Sequence, residues 1–449
     1  MCPCLAQPSF DWVLMDAGAG ASMAYAMVSM GEYVYIGGHT KGNLTIVGGN
    51  GATHHYADLD GHKDLYIVKI DDKGEPVHVS LFDGDATGSS NVLMDMAPMG
   101  DGTNMAVAGY FRGSLTTNVG TITNPNDNSA DRNAFIAKWD SSSGDVKWIT
   151  HIDSERSTNA YGTASDSAGN AFVVGIYCVP CVDCTVQETS YGYPTGRWAP
   201  DCSGMIRKFN ASNGALLWQA DVAQSSAMWG IKVDASGDAY VTGSLTGSDI
   251  DLGGGIPPVT TASSGASSSQ IIAKLNGATG AIVWAEVLGA GYGFEIALSP
   301  DEASVYTVGY LNAAASYSGF SVSGNLGGFT TKHTAAAGTA LWYVDMPACR
   351  GVRSSADGEF VLLMGSPFSN TMEMGDVTLR SRGSTDTFVA KLTASDGSGV
   401  WTTDGARLLG SICAHGLRLC SPCLPVADGF CRVLSLLSWR RRDGLPVGL

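Results

Sequence analysis

At 449 residues, with 44% apolar and 15% charged residues, the chain has ample material for a packed core and lacks the composition of a disordered one. Its 58 glycines follow no three-residue period, which excludes a collagen-like structure. The net charge of −16 is uneven: residues 406–449 hold six Arg and two Asp but no Glu or Lys, so the body before them carries −20. That acidic body lacks the basic stripe that phosphate backbones require, so no nucleic-acid partner is expected. No stretch reaches the roughly 18 apolar residues that would span a membrane.

In chain order, Met1–Trp12 does not show the basic, apolar and small-residue succession of a secretion signal. The segment around Phe10–Leu14, with Trp12, reads as a single strand of the kind that ends each later repeat. From there to Trp401 the chain divides into six units. The pattern G-x-x-x-W occurs at Gly144–Trp148, Gly214–Trp218, Gly280–Trp284, Gly338–Trp342 and Gly397–Trp401, and Gly74–His78 is a sixth copy with His in the Trp place. A short apolar run with a basic residue near its end precedes each glycine: DLYIVKID, NAFIAKWD, SGMIRKFN, SQIIAKLN and DTFVAKLT, with Lys332 filling the slot in the fifth unit. Lys69, Lys138, Lys208, Lys274, Lys332 and Lys391 are therefore separated by 58–70 residues, and recurrence at such a period marks a repeat architecture.

Each unit predicts four strands. After the Trp comes a stretch such as Met228–Asp234, a turn such as Asp234-Ala-Ser-Gly237, a strand such as Ala239–Gly243, a variable polar loop, the Lys strand, a Gly turn and the next Trp strand. Short β-rich runs bounded by Gly, Asn, Asp and Ser fit strand and hairpin rules, and no long 3.6-residue apolar period interrupts them. A lone four-stranded sheet cannot bury both faces, but radial stacking buries them between neighbours. The expected fold is all-β: a β-propeller of six complete four-stranded blades over residues 1–405, with an incomplete seventh blade as the variant implied by the orphan strand at Trp12. A ring closed by joining its first strand to its last would place three missing strands after Trp401. Residues 406–449 lose the Gly/Asp/Ser turns and turn rich in Leu, Arg and Cys. They are expected to be a divergent tail rather than a regular blade, either through a departure from the ancestral coding frame or as a genuine tail on a six-bladed ring.

The frame D-x-F-V-A-K-L…G-x-x-x-W…A-x-D-x-x-G-x-x-Y-V-x-G, clearest at Asp386–Trp401, Ile231–Gly243 and Ala164–Gly175, resembles the SBBP-type β-propeller repeat. The Lys strand with G-x-x-x-W is also similar to the tryptophan-docking repeat of quinoprotein propellers. The resemblance covers about nine-tenths of the chain. It implies a propeller and a surface or extracellular setting, but no single activity.

Few residues carry chemistry. Cys178, Cys181, Cys184 and Cys202 lie in or beside a long third-unit insertion. Four thiolates can bind zinc or an iron–sulfur cluster, but one triplet with a distant fourth fits disulfides better. Cys349 reads as a small buried apolar residue, and Cys413, Cys420, Cys423 and Cys431 fall in the tail. His54, His55, Asp58, Asp60, His62 and Asp64 crowd one loop. They could hold a divalent cation, but Asp58-x-Asp60-Gly lacks the later ligands and closing Glu of a calcium loop, so a solvated loop is the favoured reading and no cofactor is expected.

Aligning the first strands puts Tyr25, Leu93 or Met94, Tyr161, Trp229, Phe294 and Arg350 at equivalent positions near one channel mouth, and the same strands carry Asp95, Lys232, Glu295 and Arg353. Tyr25, Tyr161, Trp229, Phe294 and Arg350 are the candidate ligand-binding set, able to stack a sugar or planar ligand, against the simpler reading that they plug the channel. There is no G-x-S-x-G, P-loop or H-E-x-x-H motif, and no adjacent Cys pair of the quinoprotein dehydrogenases. Asn43-Leu-Thr and Asn210-Ala-Ser are glycosylation sequons, relevant in a secreted chain. The function expected is a non-enzymatic, monomeric, extracellular or cell-surface module that presents loops and a channel mouth to a protein or carbohydrate. The alternative is a propeller enzyme, quinoprotein-like or lyase-like, with its site at that mouth.

Overall fold

The computed structural model describes residues 15–16, 21–56, 63–84, 91–125, 131–154, 157–178, 202–224, 226–253, 255–261, 268–311, 315–317, 320–322, 327–368, 371–374, 377–380 and 386–404. All regular elements among them are strands, and no helix is long and apolar enough to cross a membrane. Six antiparallel four-stranded units follow one another, the blades of a β-propeller. Blade 1 comprises Ala21–Met30, Tyr33–Lys41, Lys63–Ile70 and Pro76–Gly84. Blade 2 comprises Val92–Pro98, Asn104–Phe111, Asn133–Asp140 and Val146–Ile152. Blade 3 comprises Thr158–Ser165, Ala171–Cys178, Cys202–Phe209 and Leu216–Gln224. Blade 4 starts with Ser226–Val233, Ala239–Leu245 and Ser269–Leu275. The long strand Ile282–Leu298 is its fourth strand and then the first strand of blade 5, which continues with Ser304–Leu311, Gly327–Thr334 and Ala340–Pro347. Blade 6 comprises Cys349–Ser354, Phe360–Phe368, Asp386–Thr393 and Gly399–Asp404.

The turn chemistry is local. Asp166 and Asp234 each accept the amide four residues on, from Asn170 and Asp238, closing the first hairpins of blades 3 and 4. The glycine that opens each G-x-x-x-W has a second duty besides its positive φ. The indole of the preceding blade lies flat on it, so that a Cβ on Gly214, Gly280 or Gly338 would sit 2.5–2.6 Å from Trp148, Trp218 or Trp284. Each indole Nε1 also donates to a backbone carbonyl of the next blade: Trp148 to Ala211, Trp218 to Gly277, Trp284 to Ala335 and Trp342 to Ala394, at 3.0–3.1 Å. The repeated lysine reaches the same row of carbonyls. Lys69 donates to Ser141, Lys138 to Ala211, Lys208 to Gly277 and Lys332 to Ala394, while Lys274 turns to Asp238 at 3.0 Å instead. Where blade 1 has His78 in place of Trp, Trp139 of blade 2 supplies the indole and donates to Gly144 at 2.9 Å. The apolar residues flanking the lysines fill the inter-blade layers, as in the layer formed by Tyr35, Leu65 and Ile67 with Met96, Met105 and Val107.

Trp12 and its neighbours lie outside the described residues, as do 405–449. Met15–Asp16, however, pair antiparallel with Ile46–Val47. The end of the fourth strand of blade 1, Asp83–Gly84, pairs in the same way with Leu115–Thr116 of blade 2. Met15–Asp16 thus occupy the place of a fourth strand preceding blade 1. First strands of successive blades touch along five junctions, from Ala21–Met30 through to Cys349–Ser354, but no contact of that extent joins Cys349–Ser354 back to Ala21–Met30.

Candidate functional site

The axial channel is lined by the six first strands, and each is interrupted by a β-bulge at an equivalent point: at Tyr25, Met94, Tyr161, Trp229, Phe294 and Arg350. A bulge inserts one unpaired residue and re-aims its side chain. Of the two residues considered for blade 2, Met94 is the bulged one. The re-aimed side chains meet at the axis. Tyr161 and Trp229 ring centroids are 5.8 Å apart, Trp229 and Phe294 are 5.0 Å apart, and the Arg350 guanidinium lies 4.3 Å above the Phe294 ring. Tyr25, Met94, Tyr161 and Trp229 are between 4% and 8% exposed, and burial lowers the Arg350 pKa to about 10. Behind them Tyr25 stacks on His39, whose pKa falls to about 3 through burial and the nearby Lys63 charge. The five candidate residues are therefore brought together, and they are packed on one another as a plug.

Charged groups lie on the channel side of this plug. Asp95 and Glu295 directly follow the bulge in blades 2 and 5, where the other blades have Ala26, Gly162, Gly230 and Gly351. Lys232 and Arg353 stand two residues further along their strands. Glu295 is approached by Lys232 at 3.4 Å and by Arg353 at 3.5 Å and remains 24% exposed. Burial pushes its pKa up, but the two cations outweigh burial and the net shift is downward. Asp95 accepts the amides of Met96 and Thr163, both at 2.9 Å. Burial dominates there, Lys232 opposes it and Glu295 adds to it, and the pKa rises to about 6 from an ordinary 3.8.

A carboxyl with a raised pKa is favoured in its protonated form by the fold. Its contribution to stability is complete below the unfolded value near 3.8 and is lost as pH rises through about 6. Asp95→Asn is accordingly expected to gain stability relative to the parent as pH goes from about 4 to about 8. Melting curves of both proteins across that range test this, and a constant difference between them would refute it.

The remaining sequence candidates separate. Cys178 and Cys202 form a disulfide at the base of the third-blade insertion, at the register point where the second and third strands begin to pair. Cys181 and Cys184 lie outside the described residues. Cys349 is fully buried, and burial raises its thiol pKa. His54 faces Glu75 at 3.5 Å and His55 faces Thr45 at 3.1 Å, whereas Asp58, Asp60 and His62 lie outside the described residues. Among the described residues no three His, Cys, Asp or Glu side chains converge on a point where a metal ion could sit. Sequence reasoning did not anticipate the hairpins that the connection between second and third strands builds in four blades: Leu44–Val47 with Thr53–Tyr56, Ser114–Thr117 with Gly120–Thr123, Ala315–Tyr317 with Phe320–Val322, and Thr371–Met374 with Val377–Arg380. The only signal for them was the polar, variable character of those loops.

No protein-family model matches the chain, and no curated protein matches it. The solved structures it is similar to include three chains, each at 10% identity. One is the Dos1 propeller, with 86% of this chain and 84% of that one covered at a TM-score of 0.42. Another is a protein of unknown function from Bacteroides caccae, with 76% and 90% covered at 0.37. The third is hydrazine synthase of Kuenenia stuttgartiensis, of which the chain spans 64% while 69% of its own length is covered, at a TM-score of 0.38.

Proposed function

We propose that this propeller is a non-enzymatic binding module that engages a protein or carbohydrate through one face of the ring. The observation that carries this reading is the asymmetry of its connections. First-to-second and third-to-fourth strands are joined by tight turns such as Asp166–Asn170 and Asn210–Ala215. Second-to-third connections instead carry four hairpins, the insertion based on Cys178–Cys202 and the bridged loop Ile250–Val259. In an up-and-down blade the second-to-third connections leave from the end at which the first strand starts. The elaborated face is therefore also the plugged one. Loops displayed on a rigid scaffold are where recognition residues concentrate. Of the plug side chains, Tyr25, Met94, Tyr161 and Trp229 are buried and Phe294 and Arg350 half-buried, so the hairpins are the more accessible surface for a partner. The disulfide supports an oxidising, extracellular or cell-surface setting for an SBBP-type repeat protein acting as a monomer.

The test compares the parent with Val119→Asp, at the exposed tip of the second-blade hairpin, on a glycan array and against a panel of purified extracellular proteins. A partner whose affinity falls at least about tenfold in the variant, with melting unchanged, supports the reading. The competing enzyme reading draws on Asp95, since carboxyls with raised pKa values gather at active sites. Quinone absorption in the purified protein, or a partner indifferent to every hairpin, would overturn the proposal.

A further inference from the structure

The charges beneath the plug are no part of the repeat. At the position after the bulge four blades carry Ala26, Gly162, Gly230 and Gly351, and two residues further on four carry Val28, Ala97, Ala164 and Ala297. Only Asp95, Glu295, Lys232 and Arg353 break this small, uncharged set, so blade stacking does not require them. Their mutual contacts are loose. Lys232 and Arg353 share one carboxylate, Glu295, at 3.4 and 3.5 Å, whereas Lys69, Lys208 and Lys332 hold their carbonyls at 2.8–3.0 Å. Among the described residues Lys232 Nζ reaches no oxygen but that of Glu295, and the other bond of Arg353 runs from Nη1 to Val352 O. Arg353 is exposed and the other three are half-buried, so solvent reaches all four.

The two sides of the cluster differ in sign. Lys232 of blade 4 and Arg353 of blade 6 flank Glu295 of blade 5, two cations against one carboxylate, which leaves a net charge of +1. Asp95 stands three blades before Glu295 and forms no ion pair among the described residues. It accepts two backbone amides, and Lys232 and Glu295 are near enough for both charges to act on it. Burial disfavours its ionised form, a cost that a cation placed against it would remove. Carboxylates kept under such conditions gather at functional sites.

We infer that this part of the channel binds a free α-amino acid, with the ligand ammonium against Asp95 and the ligand carboxylate against Lys232 and Arg353. A zwitterion matches the negative and positive sides while bringing no net charge into the channel. A simple anion would leave Asp95 without a counter-charge, and a simple cation would meet Lys232 and Arg353. The plug closes the channel above the cluster, so the ligand enters from the face opposite the hairpins. This site is therefore separate from the face proposed for a macromolecular partner.

Calorimetric titration of the intact chain near neutral pH tests this, with the standard amino acids as probes, each beside its N-acetyl and carboxamide derivatives. At least one amino acid is expected to bind the parent. Its two derivatives, each lacking one of the charges, should bind at least about tenfold more weakly. Asp95→Asn and Arg353→Gln should each weaken the amino acid by at least about tenfold as well. The variants also assign the ends of the ligand. Asp95→Asn should no longer distinguish the amino acid from its N-acetyl derivative, and Arg353→Gln should lessen the penalty on the carboxamide. The derivatives act on the parent, so the test holds even where a variant fails to fold. Absence of binding by every amino acid overturns the inference. So does a derivative that binds as tightly as its amino acid, or binding that survives Asp95→Asn.

Discussion

Replacing Trp284 by alanine is expected to destabilise the ring by about 3–5 kcal/mol, the range for truncating a buried large aromatic. The side chain is 8% exposed, sits beside Tyr240 and lies on Gly338. Its Nε1 bond to Ala335 O, at 3.1 Å, is buried, so truncation removes the indole contacts and also leaves that carbonyl with only the longer Tyr240 hydroxyl bond at 3.4 Å. The companion change Gly338→Ala acts on the other half of the joint. Its Cβ would lie 2.5 Å from Trp284 Cε3 on a backbone with a φ of 71°, which L-residues adopt at a cost of about 1–2 kcal/mol before any clash. The two changes disrupt one contact, so the double variant should be less destabilised than the sum of the singles. Chemical denaturation of the three variants measures this. Full additivity would mean that the indole and the glycine do not act together.

Removing the Cys178–Cys202 bridge, by reduction or by Cys178→Ala with Cys202→Ala, is expected to cost about 3 kcal/mol, because the bridge closes a loop of 24 residues and restricts the unfolded chain accordingly. Both cysteines are at most 2% exposed and belong to the same packed cluster as the plug residues Tyr161 and Trp229. The loss should therefore extend beyond the insertion and reach the channel mouth. The difference in tryptophan fluorescence between the parent and Trp229→Phe, followed through denaturation with and without reductant, reads both effects, since nine other tryptophans contribute to the total signal of this ten-tryptophan chain. A melting temperature insensitive to reductant would show that the strand pairing at that point holds without the bridge.

A distinction of range separates what was legible in the sequence from what was not. Strand periodicity, Asp-x-x-Gly turns and the spacing of lysine, glycine and tryptophan are short-range properties, and they determined the six units, the four strands in each and the alignment of Tyr25, Tyr161, Trp229, Phe294 and Arg350. Only the tertiary structure decided what each recurrent residue touches. Four of the lysines bond carbonyls of the following blade, whereas Lys274 pairs with Asp234 and Asp238 of its own blade. The aromatic set points inward because each first strand bulges at that residue, and one bulge in six strands at the same height converges side chains that would otherwise line a channel. The pairing of Cys178 with Cys202 followed from strand register, which cysteine spacing does not encode. The count of complete blades and the unmatched strand at Trp12 could be read from the chain, but how the sixth sheet covers its apolar face could not, since that depends on which surface it meets. That is decided by contact between the two ends of the repeat array, the longest-range interaction in the molecule.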